Sequence, residues 1–258
     1  MVNGMGEKAA KGCLVVHGLS GTPATMKPIS DALQAKGYIV HAPLLSGHGD
    51  LETLAHSTAE QWYESLLQAY RTLQSQVDDV YFVGLSMGSI LGLKLAEELN
   101  SKIKALALLA PPIEYTCSFR FFIIPGLRYT PLRWFIHSTA KDFEKSVLNP
   151  EGREYYRANS LARIPCDSVI ELLNLTKAVC KNLSKIDQPL LVLQGRKDHM
   201  ITSHGFIKIK KGVHSKKLEF VLLPHSSHIL PLDYDQAEVV KRIVNFFETV
   251  SASGGQKQ

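Results

Sequence analysis

The sequence predicts an α/β fold: a mainly parallel sheet flanked by helices, with a mostly helical insertion. Three observations predict it. Short β-branched apolar runs recur along the chain, helical patterns with apolar residues three and four apart lie between them, and this alternation lapses between about Pro111 and Asp187. In chain order the expected strands are Cys13–His17, Tyr38–Ala42, Val80–Leu85, Ala105–Leu109, Leu190–Gln194 and Leu218–Leu223. The expected helices are Thr25–Lys36, Ala59–Gln76, Ser89–Leu99 and Gln236–Val250. Leu66, Leu67, Tyr70 and Leu73 in one, and Val239, Val240, Ile243, Phe246 and Phe247 in another, keep the helical spacing. A core is therefore expected in residues 1–112 and 188–250, with residues 113–187 as a cap over the strand ends. The Gly- and Gln-containing end, residues 251–258, reads as a disordered tail. A parallel sheet covered on both faces gathers its functional loops at the carboxyl ends of its strands.

Composition bounds the function. The 258 residues are 45% apolar and carry a net charge of +5, which is ordinary for a globular protein and far from a nucleic-acid-binding extreme. The Lys208–Lys217 stretch, with five lysines and no acid, reads as a solvated helix face and loop. Met1–Gly12 is polar and lacks the apolar centre of a signal peptide, and no apolar run approaches the roughly 20 residues of a membrane span. With Cys13, Cys117, Cys166 and Cys180 scattered and no CxxC pair, a cytoplasmic protein with reduced thiols is expected. The ten histidines show neither H-x-x-x-H nor H-E-x-x-H spacing, so no metal and no cofactor are expected.

The residues that point to chemistry begin with Gly84-Leu85-Ser86-Met87-Gly88. A G-x-S-x-G pentapeptide alone is weak, but here a strand-like run precedes it and a helix follows at once. A strand entering a helix through one sharp turn exposes the serine hydroxyl and crowds the positions two before and two after, hence the glycines. A serine hydroxyl needs a base within hydrogen-bond reach and donors for the oxyanion it generates. Candidate donors are the N–H of Met87, at the positive end of the helix, and the N–H of Leu19, in the loop His17-Gly18-Leu19-Ser20-Gly21-Thr22. Asp198 and His228 follow the serine in the order acid then histidine, each just after a strand, as an orienting acid and a general base would. His225 and His199 are rival bases. Asp187 is discounted as the acid because it precedes its strand. His48, in Gly47-His48-Gly49, reads as a brace behind the oxyanion loop rather than a catalyst.

With these motifs the chain resembles the α/β-hydrolases grouped as bacterial carboxylesterases and monoacylglycerol lipases. The matching pieces also include Leu54, Trp62 and Ser227-His228-Ile229 with Leu232-Asp233, spanning about residues 12–250 with the cap matched only loosely. Ser89 departs from the pattern, where a further glycine is common. The resemblance implies a triad of Ser86, Asp198 and His228 and an oxyanion hole of Leu19 and Met87. It also implies small-molecule esters of apolar acids as substrates, monoacylglycerols included, and no nucleic-acid partner. Phe121, Phe122 and Ile124, in the aromatic stretch Phe119–Ile136, are expected to line an acyl-chain tunnel, and the same cap to touch a lipid surface transiently. A cap burying its own core is the competing reading of that stretch. Thioester or carbon–carbon bond hydrolysis on the same triad, or a ligand-binding protein that has lost turnover, are the functional alternatives. Dehalogenation is disfavoured, because those relatives carry aspartate where Ser86 stands.

Overall fold

The structure, a computed structural model, describes residues 9–99, 102–116, 124, 126, 130 and 135–254. The first half runs β1 (Ala9–Val16), α1 (Lys27–Ala35), β2 (Ile39–His41), α2 (Leu51–His56), α3 (Ala59–Gln74), β3 (Val77–Leu85), α4 (Met87–Leu99) and β4 (Ile103–Leu109). The insertion contributes β5 (Ser138–Ala140), α5 (Phe143–Ser146), α6 (Pro150–Ala158), β6 (Arg163–Pro165) and α7 (Cys166–Lys181). The chain then returns to the sheet with β7 (Leu190–Gly195), α8 (His204–Gly212), β8 (Leu218–Leu223) and α9 (Gln236–Gly254).

The main sheet has the order β2-β1-β3-β4-β7-β8, with every neighbouring pair parallel. Alternation of side chains along each strand divides the core in two. Leu14, Val16, Phe82, Leu106, Leu108 and Val192 face one side, where Trp62, Leu66 and Tyr70 of α3 and Ile90 of α4 cover them. Cys13, Val15, Tyr81, Val83, Ala107 and Leu193 face the other, against Ile29 and Leu33 of α1 and Ile243 and Phe247 of α9. Both faces are dry, which explains why the strands read as nearly unbroken apolar runs. Because the strands are parallel, the segments following β1, β3, β4, β7 and β8 all emerge at one edge.

Helix starts have local causes. Thr58 and Gln61 form a reciprocal capping box at the start of α3, and the Asp50 and Asn149 side chains accept backbone N–H groups at the starts of α2 and α6. The lysine run begins on the exposed face of α8, where Lys208 pairs with Glu114 at 2.8 Å. Among the described residues, no helix is long and apolar enough to cross a membrane.

The structure departs from the sequence reading in several places, the first being α2, which no expected helix covers. β1 begins at Ala9 rather than Cys13, because Ala9 through Gly12 continue the ladder with β3. The insertion also holds a small antiparallel pair, β5 and β6, too short to show a period of two. The tail does not begin at Ser251, since α9 runs on to Gly254 and the Ser253 hydroxyl donates to the Thr249 carbonyl at 2.8 Å. Local helical hydrogen bonding thus carries the helix one turn past its apolar stripe.

Gly152 tests how α6 packs on the 3₁₀ turn Leu230–Leu232 just beyond His228. A Cβ there would lie 1.7 Å from the Leu232 carbonyl oxygen, so there is no room for one. Gly152→Ala is expected to destabilise the fold by about 2 kcal/mol or more through overpacking, lowering Tm by about 4–8 °C. An unchanged Tm on thermal denaturation would show that this contact is not tight.

Candidate active site

Ser86 stands between the last residue of β3 and the first of α4, with φ of 52°, in the left-handed region that L-residues avoid. Its neighbours impose this. A Cβ on Gly84 would lie 2.5 Å from the Gly88 carbonyl, and one on Gly88 would lie 2.5 Å from the Val16 carbonyl oxygen. The two glycines thus let the turn close on itself and press against β1. The Ser86 N–H donates to the Leu109 carbonyl at 2.7 Å, tying the turn to β4. Ser89 supplies a second tie: its buried hydroxyl lies 2.6 Å from the Gly84 carbonyl and 3.1 Å from that of Leu109. The departure from glycine at this position is therefore accommodated by two carbonyl partners.

The side chain of Ser86 is not alone. His228 Nε2 lies 2.9 Å from Ser86 Oγ, and His228 Nδ1 lies 2.8 Å from Asp198 Oδ2. The other carboxylate oxygen of Asp198 accepts the backbone N–H groups of Met200 at 2.8 Å and Ile201 at 3.2 Å, which leaves Oδ2 aimed at the imidazole. This arrangement selects the tautomer with the proton on Nδ1 and an open lone pair toward the serine. Both His228 and the Asp198 carboxylate are nearly inaccessible to solvent. The loop carrying His228 is fixed by Asp233, whose carboxylate accepts the N–H of Ser227 at 2.8 Å and those of Leu148 and Asn149 from the insertion. Gly195 lets the Asp198 and His228 loops touch, since its Cβ would lie 2.2 Å from the Ser227 carbonyl oxygen.

The rival residues lie elsewhere. His225 is exposed, with its backbone N–H held by Asp235 at 2.8 Å. Asp187 is exposed and enters β7 from the opposite edge. His199 is adjacent to Asp198 in the chain, and burial lowers its basicity.

The two candidate oxyanion donors flank the serine. Met87 opens α4, where a first-turn N–H has no partner within its helix. Gly18 passes close enough that a Cβ on it would lie 3.4 Å from Ser86 Cβ, which brings Leu19 to the cavity wall. His17 braces this loop from behind. Its Nε2 accepts the Leu45 N–H at 3.2 Å while Nδ1 donates to the Gly18 carbonyl at 2.9 Å, a pairing only the neutral ring can make. Burial, reinforced by His48 at a ring distance of 4.9 Å, pushes the His17 pKa down to about 3. His48 is likewise held neutral, its pKa lowered to about 4 by burial, and packs edge-on against Trp62. Ser20 is also left-handed, with φ of 57°.

Ser86, His228 and Leu19 line a largely apolar cavity. Leu172 on its wall belongs to the core beneath α3 and α4, whereas Tyr156 and Ile229 belong to the core beneath α1 and α9. Ile164 and Val169 complete the apolar lining, and Ile124 packs behind these two in a buried cluster. Phe121 and Phe122 lie outside the described residues. Sequence reasoning missed the polar contributors Thr25, Ser146 and Lys141. They come from unremarkable sequence contexts, and only the insertion's path brings the last two over the strand ends.

The family model described as serine aminopeptidase, S33, matches residues 7–235. The chain is 29% identical over 242 residues to a thermostable monoacylglycerol lipase of Bacillus sp. (strain H-257), covering 93% of this chain and 92% of that one. It is 26% identical to a carboxylesterase of Bacillus subtilis (strain 168), covering 92% of each. The crystal structure of a Paleococcus ferrophilus monoacylglycerol lipase superposes with a TM-score of 0.78 at 19% identity, over 95% of this chain and 98% of that one. With a parallel sheet, a strained serine at a strand–helix turn and a family match over most of its length, the chain belongs to the α/β-hydrolase family described as serine aminopeptidase, S33.

Proposed function

We propose that this protein is a carboxylic-ester hydrolase working through an acyl-enzyme on Ser86. The observation that carries this reading is the His228 imidazole, held between Ser86 Oγ at 2.9 Å and Asp198 at 2.8 Å. Ser86 Oγ attacks the ester carbonyl while His228 Nε2 takes its proton. Asp198 stabilises the imidazolium, and the Leu19 and Met87 N–H groups receive the oxyanion. His228 then returns the proton to the departing alcohol. Water, activated by the same histidine, releases the acid. The resemblance to a monoacylglycerol lipase and a carboxylesterase supports apolar acyl esters, monoacylglycerols among them, as substrates. Residues 113–187 act as the cap, and Phe135, 85% exposed, supports transient contact of that cap with a lipid surface.

The family's description raises peptide amines as an alternative. An aminopeptidase holds the substrate's ammonium with a carboxylate, yet the described residues lining this cavity include no Asp or Glu and do include Lys141. The lining thus favours esters over peptides with a free N-terminus. Fluorophosphonate labelling separates an active hydrolase from a ligand-binding relative with a dormant serine.

Ser86→Ala is expected to lower ester turnover on the order of 10⁴-fold or more while the protein stays folded; substantial residual kcat in a purified, folded variant would sink the assignment. His228→Ala is expected to lose activity about as severely, and His225→Ala to keep most of it. Asp198→Asn is expected to fall between these, because the acid orients and stabilises rather than reacts. Steady-state kinetics on one chromogenic ester reads all four.

An apolar cavity also predicts chain-length dependence. Each methylene buried contributes about 0.8 kcal/mol, so kcat/KM is expected to rise several-fold per added methylene from acetyl toward medium-chain p-nitrophenyl esters, then level off. Equal rates on acetate and octanoate esters would contradict an acyl tunnel.

A further inference from the structure

One group in the cavity wall is not used by the chemistry of Ser86, His228 and Asp198. Lys141, just after β5, places its ammonium among apolar and aromatic side chains, 3.1 Å from the Ser20 carbonyl oxygen and 4.6 Å from the centre of the Tyr156 ring. The Phe143 ring lies at 5.8 Å. Among the described residues no carboxylate pairs with this ammonium, and the nearby His17 and His48 are held neutral and bring no negative charge. Burial pushes its pKa down to about 7, the mark of a cation short of compensation.

Holding the Ser20 carbonyl does not explain the charge. That carbonyl already accepts the Leu161 N–H at 2.9 Å, so its hydrogen bonding is met without the lysine. An amine left without a counter-charge in a substrate cavity destabilises the empty enzyme and is compensated when a ligand brings an anion.

We infer that Lys141 is a recognition residue for a carboxylate carried by the substrate, so that the preferred esters combine an apolar portion with a free carboxylate. This deepens the reading of Ser86 as an ester-cleaving nucleophile and rests on it. A carboxylate suits the site better than a phosphate. Lys141 is a single point charge, and no arginine or second lysine lines the cavity among the described residues, so a dianion would stay undercompensated.

The carboxylate has two possible sources, the acyl half or the alcohol half of the ester. Two matched pairs distinguish them. p-Nitrophenyl hydrogen adipate against p-nitrophenyl hexanoate places the charge on the acid, and the butyric ester of glycolic acid against ethyl butyrate places it on the alcohol. With the full chain, kcat/KM is expected to favour the charged member of one pair by at least about ten-fold, as a charge-assisted hydrogen bond would give. Lys141→Met, or Lys141→Gln if the first does not fold, is expected to raise KM for that charged ester and bring the ratio to about one. A wild-type ratio at or below one in both pairs overturns the inference without any variant. A ratio retained in Lys141→Met, with kcat lowered equally for both members, also overturns it, because the lysine would then only hold the oxyanion loop. Calorimetric binding of the four esters to Ser86→Ala reads the preference without turnover. A wild-type protein that binds the charged members preferentially but cleaves none overturns the ester reading alone.

Discussion

Everything at this site depends on the left-handed backbone of Ser86. A non-glycine residue in that region is strained by roughly 1–3 kcal/mol and persists only where its surroundings leave no alternative. Here the surroundings are β3 and α4, joined through a single residue, with Gly84 and Gly88 packed so closely that neither tolerates a side chain. The hydrogen bonds of Ser86 N–H and Ser89 Oγ to the end of β4 stop the turn from relaxing. A hydroxyl held this way lies within hydrogen-bond reach of His228, and the first N–H of α4 comes free beside it.

His228 and Asp198 are positioned by different means. Their loops follow adjacent parallel strands, β7 and β8, and touch through Gly195. Asp233 is the less obvious participant. Its buried carboxylate gathers the backbone N–H groups of Ser227, Leu148, Asn149 and Tyr234, which locks the His228 loop to the insertion. The insertion also meets the loop after β1, where Gly21 bridges to Ser160 and Thr22 donates to the Asn159 carbonyl. Residues over the strand ends therefore brace the site from two sides as well as enclosing it.

The electrostatics of the region are uneven. His17 and His48 sit buried and neutral behind the Gly18–Leu19 turn, serving as hydrogen-bonding spacers. Lys141, on the cavity side of the same turn, is an amine with no acidic partner among the described residues. In a low-dielectric pocket a charge has long reach, so an anionic group on a ligand would favour the protonated amine and a cationic one would disfavour it.

The sheet's six strands and helices α1, α3, α4 and α9 were legible in the sequence, because fully buried strands and amphipathic helices leave periodic patterns that tertiary contacts only reinforce, whereas α2, six residues with Leu54 alone buried, shows no period. The meeting of Ser86, Asp198 and His228 at one sheet edge was legible for a related reason. Each follows a strand, and in a parallel sheet following a strand is enough to place a residue at the shared edge. Position along the chain determined that much. The hairpin of β5 and β6 was not legible, as two three-residue strands carry no period. Nor was the last turn of α9, which rests on backbone hydrogen bonds rather than an apolar stripe. Thr25, Ser146, Tyr156 and Lys141 were beyond reach for a deeper reason. Whether a lysine is a solvated surface charge or a buried amine depends on which rings and carbonyls surround it, and the Ser20 carbonyl beside Lys141 comes from more than a hundred residues away. Only the tertiary structure decided that, because desolvation is a property of assembled neighbours and not of sequence position.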